Sequence, residues 1–224
     1  WKAALGLALS EDAAVAQQAA WALAKIAISI NPIMYPRRID SNPESMVKPL
    51  LKLVDTYENE LQAFEGCLAL CNLATVDELK ERMVKCGAWR TVQMTLTSNN
   101  EQLQRAALEV MCNLCTHDEI IERFCAADSQ ELRIFIGFAQ SDDPKAVVAA
   151  TGALATLLPV PEIGERFLQS EKGIEAFVEI ALNPDSEPAL LPRAAVGLKA
   201  LFAHHTDALV GTPAADYVPH KHFV

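Results

Sequence analysis

The chain of 224 residues carries 29 acidic and 19 basic residues, which gives a formal net charge of −10. This balance argues against a nucleic-acid partner, since a phosphate backbone requires a basic face, and it leaves a basic protein partner open. Apolar residues make up 51% of the chain and aromatic residues only 6%. That composition is typical of tightly packed helices in which alanine and leucine fill the core.

The start of the chain gives no sign of export or membrane insertion. It begins at Trp1 without a methionine, so we expect a fragment or an excised domain of a longer protein. Trp1–Ala16 contains Glu11 and Asp12 and lacks a basic leader, so no signal peptide is predicted. The longest apolar run, Val147–Val160, is shorter than the roughly 20 residues needed to cross a bilayer. We expect a soluble protein with no membrane partner.

One phrase recurs along the chain, each time within a predicted helix. It reads ALAKIA at Ala22–Ala27, ALCNLA at Ala69–Ala74, VMCNLC at Val110–Cys115, ALATLL at Ala153–Leu158 and LKALFA at Leu198–Ala203. The interval of about 40–47 residues is the period of armadillo and HEAT helical repeats. We therefore predict an all-α, right-handed armadillo/HEAT-like solenoid of about five repeats. It forms one domain at residues 1–210, followed by a C-terminal tail at 211–224, and its concave groove holds another protein.

Polar turns in front of the recurring phrases predict where helices begin. Asp77–Glu78 places two carboxylates in a first helical turn, and Ser98–Glu101 offers a cap before the next apolar stripe. Ser141–Pro144 repeats that arrangement with a proline suited to the first turn, and Asn183–Pro188 marks another break. No segment shows the period-two alternation of a strand, which favours an all-α fold.

Two stretches break the repeat. Asn31–Pro43 contains three prolines and predicts a loop that either packs Met34 and Tyr35 or offers them to a partner; packing is the favoured interpretation. The C-terminal stretch has no regular spacing of metal ligands, so we interpret it as an ordinary tail. Its histidines are His204, His205, His220 and His222.

Four cysteines lie in two neighbouring repeats. Cys67, Cys71, Cys112 and Cys115 have a number and spacing that could hold zinc. The favoured interpretation is structural, because Cys71 and Cys112 fall in the repeat position that Ala24 occupies, where a small buried side chain is needed. We predict no metal and no cofactor. The lack of a disulfide framework indicates a cytoplasmic protein.

Two asparagines stand at equivalent positions inside otherwise apolar phrases. Asn72 and Asn113 are candidates for a ladder along the groove, because an amide presents a donor and an acceptor and so matches a peptide group. The alternative is that each braces a neighbouring helix end, and both roles are compatible.

Charged and aromatic residues accompany these asparagines. Arg105 and Glu109 are four residues apart and can pair along one helix flank, while Phe64 and Glu65 hold comparable places one repeat earlier. Such a pair contributes only about 0.5 kcal/mol to stability, so we assign it to the repeat interface or to partner choice.

The sequence contains no catalytic arrangement. It has no nucleophile elbow, glycine-rich phosphate loop or HExxH helix. His117 follows Cys115 at what we interpret as a helix C-terminus, an ordinary place for histidine. We predict that the protein is not an enzyme.

Three of the runs resemble the UCS domain of myosin-directed chaperones. They are WALAKIAISINP at Trp21–Pro32, LQAFEGCLALCNLAT at Leu61–Thr75 and LQRAALEVMCNLC at Leu103–Cys115. Their order and spacing match the family's phrases across about Trp21–Phe124, and beyond Asp128 only general armadillo character is left. The family's double arginine is Gln104–Arg105 here, and its threonine before the CMCNL-like text is replaced by the Leu108–Val110 run, so client choice stays open.

The resemblance implies an armadillo-repeat domain that binds the myosin motor domain and helps it to fold or stay folded. It places Phe64, Glu65, Asn72, Arg105, Glu109 and Asn113 on the family's characteristic positions. Animal members also carry an N-terminal TPR region that recruits Hsp90. No TPR motif occurs in this sequence, so Hsp90 would join through a region outside it. Homo-oligomer formation is left open.

The alternative is a generic armadillo adaptor that binds a peptide segment. Nuclear-import receptors of this fold resemble one another in a Trp-x-x-x-Asn array. Here Trp21 precedes Lys25, while Leu68 and Glu109 occupy the tryptophan position before the two asparagines. Binding of an import signal is therefore disfavoured.

Overall fold

The computed structural model describes residues 2–31, 44–55, 59–183 and 187–204. The predictions for Met34, Tyr35, the histidines after His204 and the tail at 211–224 lie outside these residues. The described part of the chain is helical and contains no strand, which confirms the all-α prediction. In the same part, no helix is long and apolar enough to span a membrane.

The chain divides into two compact units, Trp1–His117 and Asp118–Val224. The helices described in the first unit are α1 (Lys2–Ala8), α2 (Ala13–Ser29), α3 (Glu44–Val54), α4 (Glu60–Leu73), α5 (Asp77–Lys85), α6 (Ala88–Thr95) and α7 (Glu101–Leu114). Those of the second unit are α8 (Asp118–Cys125), α9 (Glu131–Ala139), α10 (Pro144–Leu157), α11 (Pro161–Leu168), α12 (Glu171–Leu182) and α13 (Leu190–His204).

The recurring phrase lies on the longest helices of the first unit, α2, α4 and α7. Helix α4 packs against α2 on one side and α7 on the other, so the three phrase helices are neighbours. Their contacts bury leucine and alanine completely, as at Leu23, Ala24, Leu70 and Leu114. Each buried leucine contributes about 2 kcal/mol of transfer free energy. Repeats of one period thus place equivalent residues side by side.

Polar caps set where these helices begin. The Asn59 side chain accepts a hydrogen bond from the amide of Gln62, and the Asn100 side chain accepts from Gln102 and Leu103. The cap predicted within Ser98–Glu101 is therefore Asn100. Gly87, with φ of 79°, turns the chain between α5 and α6 in the left-handed conformation that glycine tolerates best.

In the second unit the phrase lies on α10 and α13, which pack against each other. The predicted cap before α10 is Asp143, whose carboxylate accepts from the amide of Lys145, and Pro144 opens the helix. Two aromatic pairs fill this core, with ring centroids 5.6 Å apart for Phe124–Phe135 and 5.3 Å apart for Phe167–Phe177.

Arg166 on α11 fixes the turn between α8 and α9. Its guanidinium donates to the carbonyl oxygens of Phe124 at 2.6 Å, Ala126 at 2.9 Å and Ser129 at 3.0 Å. A planar group with five donors suits this task, because one side chain can reach three carbonyls at once. In the second unit a cation therefore ties the end of α8 to the start of α9, beside the turn's own bond from the Ser129 amide to the Ala126 carbonyl.

Candidate functional site

The two asparagines on α4 and α7 each reach back to the preceding phrase helix. Nδ2 of Asn72 lies 3.3 Å from the carbonyl oxygen of Ala27 and 3.5 Å from that of Ile28, in the last turn of α2. Nδ2 of Asn113 lies 3.2 Å from the carbonyl oxygen of Cys71, in the last turn of α4. Both amides therefore brace a neighbouring helix end, one of the two arrangements that the sequence left open.

A threonine accompanies each asparagine at the third following position. Thr75 Oγ donates to the carbonyl oxygen of Asn72 at 2.7 Å, and Thr116 Oγ donates to that of Asn113 at 3.2 Å. The repeated unit is thus Asn-x-x-Thr, not the asparagine alone. Thr75 and Thr116 are 41 positions apart, as are the asparagines, and this spacing was the signal that could have identified them.

Glu65 on α4 joins α2 through both carboxylate oxygens. Oε2 accepts a hydrogen bond from the indole nitrogen of Trp21, and Oε1 lies 2.9 Å from Nζ of Lys25. Lys25 also stands over the Trp21 ring, 4.8 Å from its centroid. We call Trp21, Lys25 and Glu65 the α2–α4 clasp. Trp21 and Lys25 are absent from the site residues predicted from sequence, because nothing in the sequence around Glu65 indicates which side chains it contacts.

Phe64, Arg105 and Glu109 are half-buried on α4 and α7, within the same unit as the clasp. The negative charge of Glu109 acts on the Cys71 thiol, which places this carboxylate near α4. The predicted pairing of Arg105 with Glu109 stays a prediction. All six predicted site residues lie on the phrase helices α4 and α7.

Burial favours the protonated thiol at three cysteines of the first unit. Burial, followed by the nearby Cys71, raises the pKa of Cys67 to about 12. Burial, then the charge of Glu109, raises that of Cys71 to about 12, and burial lifts the pKa of Cys115 well above its ordinary value. No disulfide joins any of the six cysteines, all of which lie in the described part of the chain. Cys71 and Cys112 are half-buried, whereas Ala24 is fully buried. No group of three or more His, Cys, Asp or Glu side chains among the described residues is placed to hold a metal ion.

A second set of polar contacts links α5 to the turn after α7. Nζ of Lys80 donates to Thr116 Oγ at 2.6 Å, and Nε2 of His117 lies 2.7 Å from Oε2 of Glu81. Lys85 also pairs with Glu81 at 2.7 Å. Hydrogen bonding from Lys85, then from His117, lowers the pKa of Glu81 below its ordinary value. His117 is thus half-buried against a carboxylate, not an isolated helix-end histidine.

The second unit places other chemistry at the equivalent positions. Thr156 on α10 and Ala200 on α13 replace the asparagines. Thr156 Oγ bonds within its own helix, to the carbonyl oxygen of Gly152 at 3.0 Å. The bond between the phrase helices comes instead from Arg193 on α13, whose guanidinium donates to the carbonyl of Val148. Paired asparagines are therefore confined to the first unit.

No family model matches the chain. Among curated proteins, it is 38% identical to Protein unc-45 homolog B of Homo sapiens over 158 residues, which cover 70% of the chain and 17% of that protein. The match thus spans about a sixth of the length of this relative and of its mouse counterpart.

Solved structures similar to this chain also include UNC-45 proteins. UNC-45 from Drosophila melanogaster superimposes with a TM-score of 0.82 at 25% identity, covering 92% of this chain and 26% of that one. A structure described as showing molecular features of the UNC-45 chaperone critical for binding and folding muscle myosin gives a TM-score of 0.83 at 20% identity, covering 97% and 24%. Computationally designed armadillo-repeat proteins for modular peptide recognition give 0.72 at 18%, covering 92% and 84%.

These similarities confirm the predicted armadillo-repeat helical fold. The similar proteins are chaperones and armadillo-repeat proteins, not members of enzyme families.

Proposed function

Because the chain belongs to the UCS-domain family of myosin-directed chaperones, we propose that it binds the myosin motor domain, assists its folding and prevents its aggregation. The motor head is held in a concave groove lined by the phrase helices. The observation that carries this proposal is the similarity to UNC-45 proteins in both sequence and fold, at 38% identity to the human relative and a TM-score of 0.82 to the Drosophila structure.

The phrase helices of the first unit supply the client-contacting residues in this proposal. They are Phe64, Glu65, Asn72, Arg105, Glu109 and Asn113. Support comes from their common location on α4 and α7, and from the half-buried state of every member of the set. A half-buried polar side chain keeps part of its hydrogen-bonding capacity for a partner, whereas a fully buried one does not.

The same proposal covers location, cofactors and further partners. The protein acts in the cytoplasm and holds its client without a nucleotide or other cofactor and without catalysis of its own. Residues 1–210 form the client-binding domain and 211–224 a tail. Hsp90 binds through a region outside this chain. Molar mass measured over a range of protein concentrations tests whether the protein forms a homo-oligomer.

Suppression of heat aggregation tests the function directly. A purified myosin motor domain is heated with and without the protein, beside an unrelated aggregation-prone client. Protection of myosin alone is the expected result. Equal protection of both clients would indicate a general holding surface, and protection of neither would favour a peptide-binding adaptor.

A further inference from the structure

The α2–α4 clasp holds a lysine in the way that proteins hold a bound cation. Nζ of Lys25 lies 4.8 Å from the centroid of the Trp21 ring and 2.9 Å from Oε1 of Glu65. An aromatic face within about 6 Å attracts a cation, and a carboxylate beside it adds a charge-assisted hydrogen bond. Trp21 and Glu65 thus form a site for a positively charged group, and a side chain of the same chain occupies it.

Lys25 is a weakly held occupant of this site. Its side chain is 54% exposed, whereas that of Glu65 is 18% exposed. An ion pair with an exposed partner contributes little, because water screens the charges and the long lysine side chain loses rotamer freedom. Trp21 and Glu65 are also joined without Lys25, since the indole nitrogen donates to Oε2. Another cation can therefore replace Lys25 at Oε1 and leave the rest of the clasp in place.

A guanidinium fits this site better than an ammonium does. It is planar and weakly hydrated, it stacks on an aromatic face, and its forked N–H groups match a carboxylate. A carboxylate has about four acceptor positions, and the indole and Lys25 take one each on Glu65. The net charge of −10 also favours the approach of a basic partner. The chemistry of the clasp therefore suits an arginine side chain.

We propose that the clasp is a binding site for an arginine side chain of a protein partner, and that Lys25 competes with it for the site. The inference rests on the proposed function only for the identity of the partner, which is then the myosin motor domain. The repeat position of Trp21 carries Leu68 and Glu109 in the next two repeats. An aromatic face at this position therefore belongs to α2 among the phrase helices of the first unit.

The first test follows the indole N–H signal of Trp21 by nuclear magnetic resonance while acetyl-arginine-amide is added. Trp21→Phe assigns the signal. Acetyl-lysine-amide is the cationic control, and acetyl-citrulline-amide keeps the shape of arginine without its charge. The arginine compound should shift the signal and bind about three- to fivefold more tightly than the lysine compound. The citrulline compound should give no saturable shift.

Removal of Lys25 gives the sharpest prediction, because a damaged fold does not gain affinity. Lys25→Ala should bind acetyl-arginine-amide about three- to fivefold more tightly, since the site loses its competitor. Lys145 is an exposed lysine on α10 of the second unit. Lys145→Ala changes the net charge equally and should leave the affinity unchanged.

A change at Glu65 tests the other half of the site. Glu65→Gln keeps an acceptor for the indole but removes the charge, so it should weaken binding of acetyl-arginine-amide about tenfold. Circular dichroism checks that the variant keeps its helices. Binding of the motor domain should follow the same order, with Lys25→Ala tighter and Glu65→Gln weaker than the unaltered protein.

Three results would overturn the inference. They are a Trp21 signal that does not respond to the arginine compound, an equal response to the citrulline compound, and a Lys25→Ala affinity no higher than that of Lys145→Ala. Any of them would leave the proposed chaperone function in place if the motor domain is still protected.

The motor domain decides the identity of the partner separately. Unchanged binding of the motor domain by both Lys25→Ala and Glu65→Gln would overturn its assignment as the protein that supplies the arginine. Failure of the unaltered protein to protect the motor domain, with acetyl-arginine-amide bound as predicted, would remove the proposed function and keep the arginine site.

Discussion

The two units build the same repeat with different polar bonds between their phrase helices. In the first unit, asparagine amides donate to carbonyls of the preceding helix, at Ala27 and Cys71. In the second, the guanidinium of Arg193 on α13 donates to the carbonyl of Val148 on α10. A second guanidinium, that of Arg166, holds the turn after α8, away from the phrase helices. The difference teaches that one repeat fold can join its phrase helices through neutral amides in one unit and through a guanidinium in the other.

Loss of the Arg166 clamp should have the largest effect on stability. Arg166→Ala removes one donor from three carbonyls, of which Ala126 keeps the amide of Ser129, so we expect a loss of about 2–3 kcal/mol and a fall in Tm of roughly 5–8 °C. Arg123 holds the equivalent place on α8 and is exposed. Arg123→Ala should change stability by less than about 0.5 kcal/mol. Thermal unfolding measures both, and equal effects would show that the clamp adds nothing specific.

The α2–α4 clasp should be worth less, because Lys25 is 54% exposed. Glu65→Ala removes the acceptor for Trp21 and the partner of Lys25, so we expect a loss of about 1–2 kcal/mol. Glu65→Gln keeps an acceptor for the indole and should cost only about 0.5 kcal/mol. Indole fluorescence and thermal unfolding report on the two variants. A glutamine variant as unstable as the alanine one would assign the clasp to the ion pair.

Removal of either brace should be milder still. Asn72→Ala and Asn113→Ala should each cost about 1 kcal/mol, since one neutral amide is lost and a helix-end carbonyl can turn to water. Helicity by circular dichroism should be unchanged. Thr156→Ala, at the equivalent position of the second unit, is the matched control. Unfolding of either asparagine variant at ambient temperature would mean that the braces hold the repeat together.

Charge reversal at Glu109 tests its effect on its surroundings. Glu109→Lys places a second cation four residues from Arg105 and should cost about 0.5–1 kcal/mol. Because Glu109 helps to raise the pKa of Cys71, Glu109→Gln should lower that pKa and speed alkylation of the thiol. An unaltered Tm, binding affinity and alkylation rate would remove Glu109 from the site.

The smallest expected effect is the pH response of Glu81. Its pKa is lowered by Lys85 and then by His117, so its contribution to stability is present above the unfolded pKa of about 4.5 and is lost as the pH falls through the lower folded pKa. Glu81→Gln should therefore flatten part of the decline in Tm between about pH 5 and pH 3. Identical curves for the two proteins would show that Glu81 contributes no pH dependence.

Much of the fold was predictable because the same helical sequence pattern recurs along the chain. Local sequence patterns predicted three features that packing between helices did not override. They are the 41-residue step from Asn72 to Asn113, the N-cap at Asn100 and the helix start at Asp143–Pro144. The two units differ in this respect, since all three family-like runs fall within the sequence of the first unit.

The contacts between helices were not predictable in the same way. Sequence alone showed that Glu65 and Asn72 were unusual, but the partners of each lie 40 or more positions away. The sequence period shows which helices are equivalent, but it does not show which side chains form hydrogen bonds from one helix to the next. The Arg166 clamp shows the same limit. Its three acceptors are backbone carbonyls, which every residue has, so the sequence does not indicate which of them Arg166 contacts.

Heat aggregation of a myosin motor domain in the presence of three forms of the protein tests the role of the first unit most directly. The forms are the unaltered protein, the Asn72→Ala/Asn113→Ala double variant and Thr156→Ala. We predict that the unaltered protein and Thr156→Ala protect the motor domain equally, while the double variant, still helical, loses most of its protection. Full protection by the double variant would contradict client binding at the asparagines and leave them as braces alone.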